Sequence, residues 1–380
     1  MAKKHILLFS LLLALTFTAF CSPRSDAADT LGHRYFEDGI PVIDLHGSWH
    51  QMGRQYGILA KEYVDDVLAY LDVQLKGDSV RIAEAAGIAD LLYSHYPQQY
   101  KEFFDGVCAT SGLTLERVKL CNAVEFVEKT FFCSAMAAWG DYAKDKLVFG
   151  RNYDAVSFSE IGRDVVLTVY HPEGEMSAAT IGYAGELYCV NGFNEKGIFV
   201  ELNNGTPSAG RVSHWELCPS TTHLFTLLFR ASTMDDVERF FARTQSFSGF
   251  IIGVSNKDEA RAYEWCYDGV RRSDQETPEG LLVSTNHYVN PSWPFPTPSN
   301  ENSWNSLIRR SNLLERAQEY KGVFDVEKMA DVMSMPIEAG GPYHNLTRYQ
   351  MVAVPADMTL YLHIVGTDGW TTIDLEKYFQ

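Results

Sequence analysis

The sequence predicts an α+β fold in which two antiparallel sheets lie between outer helices, preceded by a mainly helical segment. Two observations support this prediction. Apolar residues recur at helical spacing through most of residues 29–132, whereas residues 133–290 contain a series of short apolar runs typical of strands. Strand-rich sequence accompanied by helices favours sheets that are covered by helices on their outer faces. The change from one pattern to the other falls at Cys133.

The composition is that of a large globular protein with an acidic surface. Of the 380 residues, 46% are hydrophobic and 13% are aromatic, which is ample for an extensive core. The formal net charge is −17. Because nucleic-acid binding depends on Lys and Arg side chains that neutralise phosphates, this charge argues against a nucleic-acid partner.

The first 28 residues have the pattern of a secretion signal. Lys3 and Lys4 precede a continuous apolar run at residues 6–20, and small residues lead to Ala27 and Ala28. We expect cleavage after one of these two alanines and a soluble mature protein that is periplasmic or secreted.

A lipoprotein is the alternative, since Cys21 follows the apolar run. Phe20, directly before that cysteine, is a poor fit to the peptidase that lipidation requires.

Residues 29–132 are predicted to form helices because their apolar residues recur every three or four positions. The predicted helical stretches are 52–75, 89–107 with an interruption near Pro97, and 113–130. We interpret their apolar stripes as core packing.

The remaining residues, 133–380, are predicted to alternate short strands with fewer helices. Predicted strands are 133–139, 147–151, 164–170, 177–183, 187–190, 197–202, 250–255, 260–266, 281–285, 350–354 and 359–365. Predicted helices are 221–230, 234–244, 304–320 and 326–333.

Cys133 begins the first of these strands, a polar turn follows at 140–146, and Arg151 and Asp154 lie near the end of the next strand. In an antiparallel hairpin the start of one strand lies beside the end of the other. The sequence therefore predicts that a thiol, a guanidinium and a carboxylate share one small site.

Six motifs, at residues 47–57, 96–112, 150–154, 192–197, 284–287 and 303–314, occur in an order that resembles one known superfamily. They resemble the N-terminal-nucleophile (Ntn) cysteine hydrolases, in the branch of isopenicillin N acyltransferase (acyl-CoA:6-aminopenicillanic acid acyltransferase). Choloylglycine hydrolase and penicillin V acylase are more distant members. The resemblance covers nearly all of the mature chain. It implies a four-layer αββα sandwich for residues 133–380, with residues 29–132 as a propeptide or small subunit.

The resemblance also implies roles for individual residues. Cys133 aligns with the nucleophile, which implies that the chain cuts itself between Phe132 and Cys133. The freed α-amine, with a reference pKa of about 8, then serves as the base for the thiol. Asp154 aligns with a carboxylate that orients this amine, and Arg151 aligns with an arginine beside the nucleophile in the hydrolases.

Two oxyanion donors are implied. Asn286 aligns with a side-chain amide of the oxyanion hole. The second donor lies within residues 201–204, where counting ten residues from Asn194 selects Asn204 and a slip of one residue selects Asn203.

In the predicted helix 304–320, Arg309 aligns with an arginine of the hydrolase site, and Arg310 is the alternative.

The resemblance implies an exported, self-activating cysteine amidohydrolase. It would cleave the linear amide of an N-acylated small molecule through a thioester, without a metal or cofactor. The expected partners are this substrate and the protein's own cleaved segment, retained or lost. The oligomeric state stays open, with a homo-oligomer among the alternatives.

Other functions are kept as alternatives. The same thioester would allow an acyltransferase that passes the acyl group to an amine, and the fold alone would allow a non-catalytic binding protein. His287 would allow a Cys/His dyad in an uncut chain. His46 and His50 would suit a metal if they lay on one helix, but the sequence places no third ligand nearby.

Overall fold

The computed structural model describes residues 27–128, 131–156, 164–210 and 212–380. Residues 1–26 of the predicted signal peptide lie outside the described residues. Among the described helices, none has the length and apolar character that crossing a bilayer requires.

The described chain alternates helices with strands. The helices are α1 (Trp49–Leu59), α2 (Lys61–Leu75), α3 (Ser79–Ser94), α4 (Gln98–Ser111), α5 (Leu115–Asn122), α6 (Val124–Glu128), α7 (Thr206–Ala209), α8 (Ser220–Leu228), α9 (Met234–Phe241), α10 (Ser306–Glu319) and α11 (Val326–Ser334). The strands are β1 (His33–Glu37), β2 (Ile40–Gly47), β3 (Phe131–Ala138), β4 (Val148–Ala155), β5 (Val165–Pro172), β6 (Ala178–Tyr183), β7 (Asn191–Asn194), β8 (Phe199–Asn204), β9 (Phe250–Ser255), β10 (Ala260–Cys266), β11 (Gly269–Arg272), β12 (Leu281–Ser284), β13 (Thr347–Val354), β14 (Thr359–Ile364) and β15 (Thr371–Asp374).

The strands form two sheets that pack face to face. One sheet has nine strands in the order β1-β2-β5-β6-β7-β8-β9-β10-β11, and the other has six in the order β12-β3-β4-β13-β14-β15. The main core fills the space between the sheets and extends beneath α1, α4 and α8, while a second core lies between the six-stranded sheet and α10 and α11. This four-layer αββα arrangement confirms the predicted fold class.

The segment before Cys133 contributes two strands that the sequence analysis missed. β2 lies inside the nine-stranded sheet, pairing with β1 on one side and in parallel with β5 on the other. Val42, Ile43 and Leu45 of β2 are fully buried. A strand covered on both faces has a continuous apolar run, and such a run lacks the alternation that identifies a strand in sequence.

Other predicted boundaries also change. The predicted helix 52–75 is two helices that divide at Ala60, and the first begins after Ser48, which forms a capping box with Gln51. The predicted strand 187–190 is wrong, because Cys189 and Val190 are buried in the connection that precedes β7. The apolar run at residues 187–190 therefore marks buried residues that do not form a strand.

Helices α1 and α4 approach closely because glycines face each other across their contact. A Cβ atom at Gly53 would lie 2.0 Å from the carbonyl oxygen of Phe103, and one at Gly106 would lie 2.2 Å from that of His50. Both obstructing atoms belong to the backbone, so they cannot move independently of their helices. Part of the motif at residues 47–57 is thus explained by packing.

We predict that Gly53→Ala lowers the free energy of unfolding by about 1–3 kcal/mol, the usual cost of overpacking. Gly87→Ala is the matched control, because Gly87 lies within α3 and a Cβ there would meet nothing within 4 Å. The control should raise stability by about 0.5–1 kcal/mol through helix propensity. Urea unfolding measures the free energy of unfolding of both variants, each made in the Cys133→Ala background. Equal changes in this free energy for Gly53→Ala and Gly87→Ala would refute the packing argument.

Candidate active site

The hairpin of β3 and β4 places Arg151 beside the thiol of Cys133. Cys133 pairs with Tyr153 and Ala135 pairs with Arg151, so the cysteine and the arginine lie diagonally on the face toward the other sheet. Arg151 Nη2 donates to Cys133 Sγ at 3.3 Å. Both side chains are buried.

Asp154 lies on the opposite face of the same hairpin. Because side chains alternate along a strand, Arg151 and Asp154, three residues apart, point to opposite faces. The Asp154 carboxylate accepts a hydrogen bond from Thr347 Oγ1 at 2.7 Å, and its Oδ2 lies 3.1 Å from His344 Nε2. The guanidinium thus lies on the thiol's face of the strand and the carboxylate on the face toward α10, and both Arg151 and Asp154 still influence the pKa of the Cys133 thiol.

Glu201, to which the sequence analysis assigned no role, anchors Arg151. Arg151 Nη1 hydrogen-bonds to Glu201 and, at 3.0 Å, to Asn203 Oδ1, while its Nη2 donates to the carbonyl of Leu202 at 2.7 Å. Burial raises the pKa of Glu201 to about 7, although Arg151 opposes that shift. A glutamate within the apolar strand β8 is a signal that could have found it, because a buried charge needs a partner.

Asn286 contacts the backbone of the predicted nucleophile. Its Oδ1 accepts from the Cys133 nitrogen at 3.0 Å and from Arg309 Nη2 at 2.7 Å. Its Nδ2 donates to the carbonyl of Asn204 at 2.8 Å. The structure thus brings Asn286, Asn204 and Cys133 together.

The side chains of Asn203 and Asn204, the two candidates for the second oxyanion donor, point in different directions. Asn203 points inward, where its Nδ2 donates to Glu201 Oε1 at 3.2 Å and Ser284 Oγ at 3.0 Å. Asn204 lines the cavity described below, and its Oδ1 accepts from the Thr206 nitrogen at 3.0 Å. Of the two, Asn204 is the one that faces a space where a ligand fits.

Arg309 holds the backbone of Cys133 from the side of α10. Its Nη1 donates to the Cys133 carbonyl at 2.7 Å and to Ser134 Oγ at 2.5 Å, and it lies 3.9 Å from Asp154 Oδ2. For the alternative, Arg310, burial lowers the pKa, and the charges that oppose this shift are those of Glu276 and Glu264 rather than groups of the site. Arg309 is therefore the arginine of the late helix that reaches the site.

The His287 side chain hydrogen-bonds to two hydroxyl groups rather than to the Cys133 thiol. Its Nδ1 lies 2.8 Å from Ser306 Oγ and 3.3 Å from Thr285 Oγ1. Burial, with smaller contributions from Arg310 and Arg309, lowers the pKa of His287 to about 4. A histidine with that pKa is a weak base at neutral pH, which disfavours the Cys/His dyad.

The thiol of Cys133 is neutral in this uncut chain. Burial raises its pKa to about 12, although Arg151 and a hydrogen bond with the Asp154 backbone lower it. The nitrogen of Cys133 is an amide within β3 and cannot act as a base. In the uncut chain the Cys133 side chain is therefore a protonated thiol held beside Arg151.

An apolar cavity of about 250 Å³ includes in its wall Asn204 and Phe132, the chain neighbour of Cys133. Its apolar lining consists of Phe126, Phe132, Leu202, Pro207, Trp215, Phe247 and Phe250. Phe132, the residue before Cys133, also packs on Trp304 with ring centroids 4.2 Å apart. Such a lining favours an apolar group over a charged one.

Glu125 places a carboxyl group in the wall of this cavity. It accepts a hydrogen bond from the Tyr153 hydroxyl, and both groups are buried. Burial raises the pKa of Glu125 from 4.5 to about 7. The pKa of nearby Glu186 is also raised, first by burial and then by Glu125.

A raised carboxyl pKa predicts lower stability as pH increases. The contribution of Glu125 to the free energy of unfolding should be greatest below about pH 4.5 and should be lost as pH rises through about 7, because the folded state favours the protonated form. Glu125→Gln should reduce this fall by at least about 1 kcal/mol. Urea unfolding in the Cys133→Ala background, measured below about pH 4.5 and above about pH 7, checks this difference in the free energy of unfolding. Glu279→Gln, at an exposed glutamate, is the control, and an unchanged pH dependence in Glu125→Gln would contradict the prediction.

Solved structures with similar folds show low sequence identity to this chain. The Caenorhabditis elegans ortholog of N-acylethanolamine-hydrolyzing acid amidase is 19% identical, with a TM-score of 0.46 and coverage of 59% of this chain and 93% of its own. A mutant conjugated bile acid hydrolase from Clostridium perfringens is 13% identical, with a TM-score of 0.45 and coverage of 64% and 93%. Penicillin V acylase from Agrobacterium tumefaciens is 13% identical, with a TM-score of 0.44 and coverage of 64% and 87%.

No curated protein matches the chain. A family model does match: acyl-coenzyme A:6-aminopenicillanic acid acyl-transferase, over residues 142–342, more than half of the sequence. The matched range begins after Cys133 and includes Arg151, Asp154, Asn286 and Arg309. The chain therefore belongs to the acyl-coenzyme A:6-aminopenicillanic acid acyl-transferase family.

Proposed function

We propose that this protein is a cysteine amidohydrolase that cleaves the linear amide of an N-acylated small molecule. One observation carries the proposal: Arg151 contacts the Cys133 thiol at 3.3 Å while Asn286 and Arg309 hold the nitrogen and carbonyl of the same residue. A site that holds the backbone nitrogen as well as the thiol suits a nucleophile whose own amine becomes the base.

We further propose that the enzyme activates itself by cleaving its own chain. Cys133 Sγ adds to the carbonyl carbon of Phe132, the bond from that carbon to the Cys133 nitrogen breaks, and the thiol proton passes to the nitrogen. Water then hydrolyses the resulting thioester. The products are a carboxylate at Phe132 and a Cys133 with a free α-amine, and water is the only reagent consumed.

In the cleaved enzyme the new amine provides the base that the uncut chain lacks. It accepts the thiol proton near neutral pH because its reference pKa is about 8. The Arg151 guanidinium favours the thiolate that forms. Attack on the substrate carbonyl then creates an oxyanion, for which Asn286 and Asn204 are the proposed donors. Loss of the amine leaves an acyl thioester on Cys133.

The apolar cavity is the proposed binding place of the acyl group. Phe132, which precedes Cys133 in the chain, forms part of its wall together with Leu202 and Asn204. We therefore assign the apolar acyl chain to this cavity. N-acyl amino acids, N-acyl ethanolamines, penicillin-type amides, N-acyl lactones and bile-salt conjugates all combine an acyl group with a linear amide, and they form the test panel.

Acyl transfer is the second candidate, favoured by the family model that the chain matches. It uses the same thioester but releases the acyl group to an amine. We favour hydrolysis because the predicted signal peptide implies export, which separates the enzyme from cytoplasmic acyl-CoA. Product analysis with added amines distinguishes the two, since a transferase makes a new amide and a hydrolase makes the free acid.

The cleaved segment is proposed to remain bound as a subunit. Its strand β2 pairs with both β1 and β5, and its helices α1 and α4 cover the nine-stranded sheet. Separation would expose the fully buried side chains of β2 to water, at a cost of roughly 25 cal/mol for each Å² of apolar surface.

We predict that Cys133→Ala abolishes turnover of every panel substrate, because no other group in the site can form the thioester. Cys108→Ala is the control, since Cys108 lies half-buried in α4 and should be replaceable without loss. Product formation is followed by mass spectrometry. Turnover retained by Cys133→Ala would refute the assignment of the nucleophile.

We predict that Asn286→Ala lowers kcat by roughly 100-fold or more, as expected for loss of an oxyanion donor. Asn345→Ala, at an exposed asparagine, should leave kcat unchanged. Steady-state kinetics are measured on completely cleaved protein, so that slow activation does not contribute. A change confined to KM would place Asn286 outside the oxyanion hole.

A further inference from the structure

A second group of ionisable side chains lies at the carboxyl ends of β2 and β5. These strands run parallel, and their register places His46 directly opposite His171. Asp44 is two residues before His46 and so shares its face of the sheet. Two imidazoles and a carboxylate therefore converge from two segments that are distant in sequence.

The atoms of this group have the spacing of metal ligands. Asp44 Oδ1 lies 3.0 Å from His171 Nε2 and 3.3 Å from His46 Nε2, and all three ligand atoms lie within 4.8 Å of one another. Ligands at the usual zinc–nitrogen and zinc–oxygen distances are about 3.4 Å apart in a tetrahedron. One ion therefore fits among the three atoms after small movements.

The orientation of the His46 and His171 rings shows which side chain must rotate for an ion to bind. The two imidazoles are stacked with centroids 4.2 Å apart and planes inclined by 4°, so the lone pairs of their Nε2 atoms lie in nearly parallel planes. His46 has 37% of its side chain exposed, compared with 14% for His171. Rotation of the freer His46 ring would turn its Nε2 toward a shared ion and leave the solvent side for a water ligand.

His171 is oriented in the way that metal-binding histidines usually are. Its Nδ1 lies 2.9 Å from Ser177 Oγ, which leaves Nε2 directed at the other ligands. Ser177 is itself held, because its nitrogen donates to Glu195 Oε2 at 2.9 Å. Such contacts fix the tautomer and the ring angle of a ligand.

The three side chains supply two nitrogen donors and one oxygen donor. Two imidazoles with one carboxylate suit zinc and other divalent ions that prefer nitrogen ligands.

We propose that Asp44, His46 and His171 bind one divalent transition-metal ion of the zinc class, and that this ion ties the segment before Cys133 to the rest of the protein. Asp44 and His46 precede Cys133 in sequence, whereas His171 follows it. If the chain is cleaved as proposed above, the ion joins two separate polypeptides. That consequence rests on the proposed function, whereas the site itself does not.

The test is zinc binding by full-length protein that has been stripped with EDTA. Calorimetric titration with ZnCl₂ should show one ion per chain for the wild type and for Cys133→Ala, so the result does not depend on cleavage. His171→Gln and Asp44→Asn should lose this binding. His50→Gln, at an exposed histidine in α1, should keep it.

Two further readouts separate a built site from surface binding. Ser177→Ala should weaken zinc affinity by roughly 10-fold or more, the usual effect of removing a group that orients a ligand. Zinc should raise the unfolding midpoint of the wild type and Cys133→Ala but not of His171→Gln. Absence of stoichiometric binding, or equal binding by the wild type and His171→Gln, would overturn the proposal and leave a hydrogen-bonded Asp–His cluster.

Discussion

The hydrogen bond from the Cys133 nitrogen to Asn286 Oδ1 is the contact on which the site depends. It joins residues 153 positions apart at a distance of 3.0 Å. The pairing of β12 with β3 explains it: Ser284 lies opposite Ala135, so continuing the same register places Asn286 opposite Cys133. Asn286 itself lies in the bend that follows β12, where its backbone nitrogen donates to Ser306 Oγ at 2.7 Å.

Two buried arginines complete the environment, one on each face of β3. Arg151 lies between the sheets with Glu201, and Arg309 lies on the α10 side near Asp154. A buried charge is costly unless it is paired and fully hydrogen-bonded. Arg151 pairs with Glu201 and donates to the Leu202 carbonyl, although its buried Nε has no hydrogen-bond partner among the described residues. Arg309 donates to the Cys133 carbonyl. The thiol and the peptide unit that carries it are therefore held by hydrogen bonds from two buried arginines.

The parts of this site that local sequence could predict are those that depend on one hairpin. The proximity of Cys133 and Arg151 followed from strand, turn and strand, and the opposite direction of Asp154 follows from alternation once the register is known. Glu201 was missed because its partner lies on the other sheet, a pairing that no local pattern encodes.

Long-range pairing also explains the other differences. The choice between Asn203 and Asn204 required the direction of β8, which places the first toward Arg151 and the second toward the cavity. The cluster of His46 with His171 required the parallel pairing of β2 and β5. The spacing of four residues suggested a pair of His46 with His50 on one helix, but His46 lies on a strand and His50 on a helix, so the two side chains do not share a helix face.

We propose that this arrangement leads the chain to cut itself before Cys133. The most direct measurement is the intact mass of the purified protein under denaturing conditions, for the wild type and for Cys133→Ala. Self-cleavage predicts two polypeptides in the wild type, the larger beginning at Cys133, and one uncut chain in the variant. A single uncut chain in the wild type, or the same cleavage in both proteins, would contradict it.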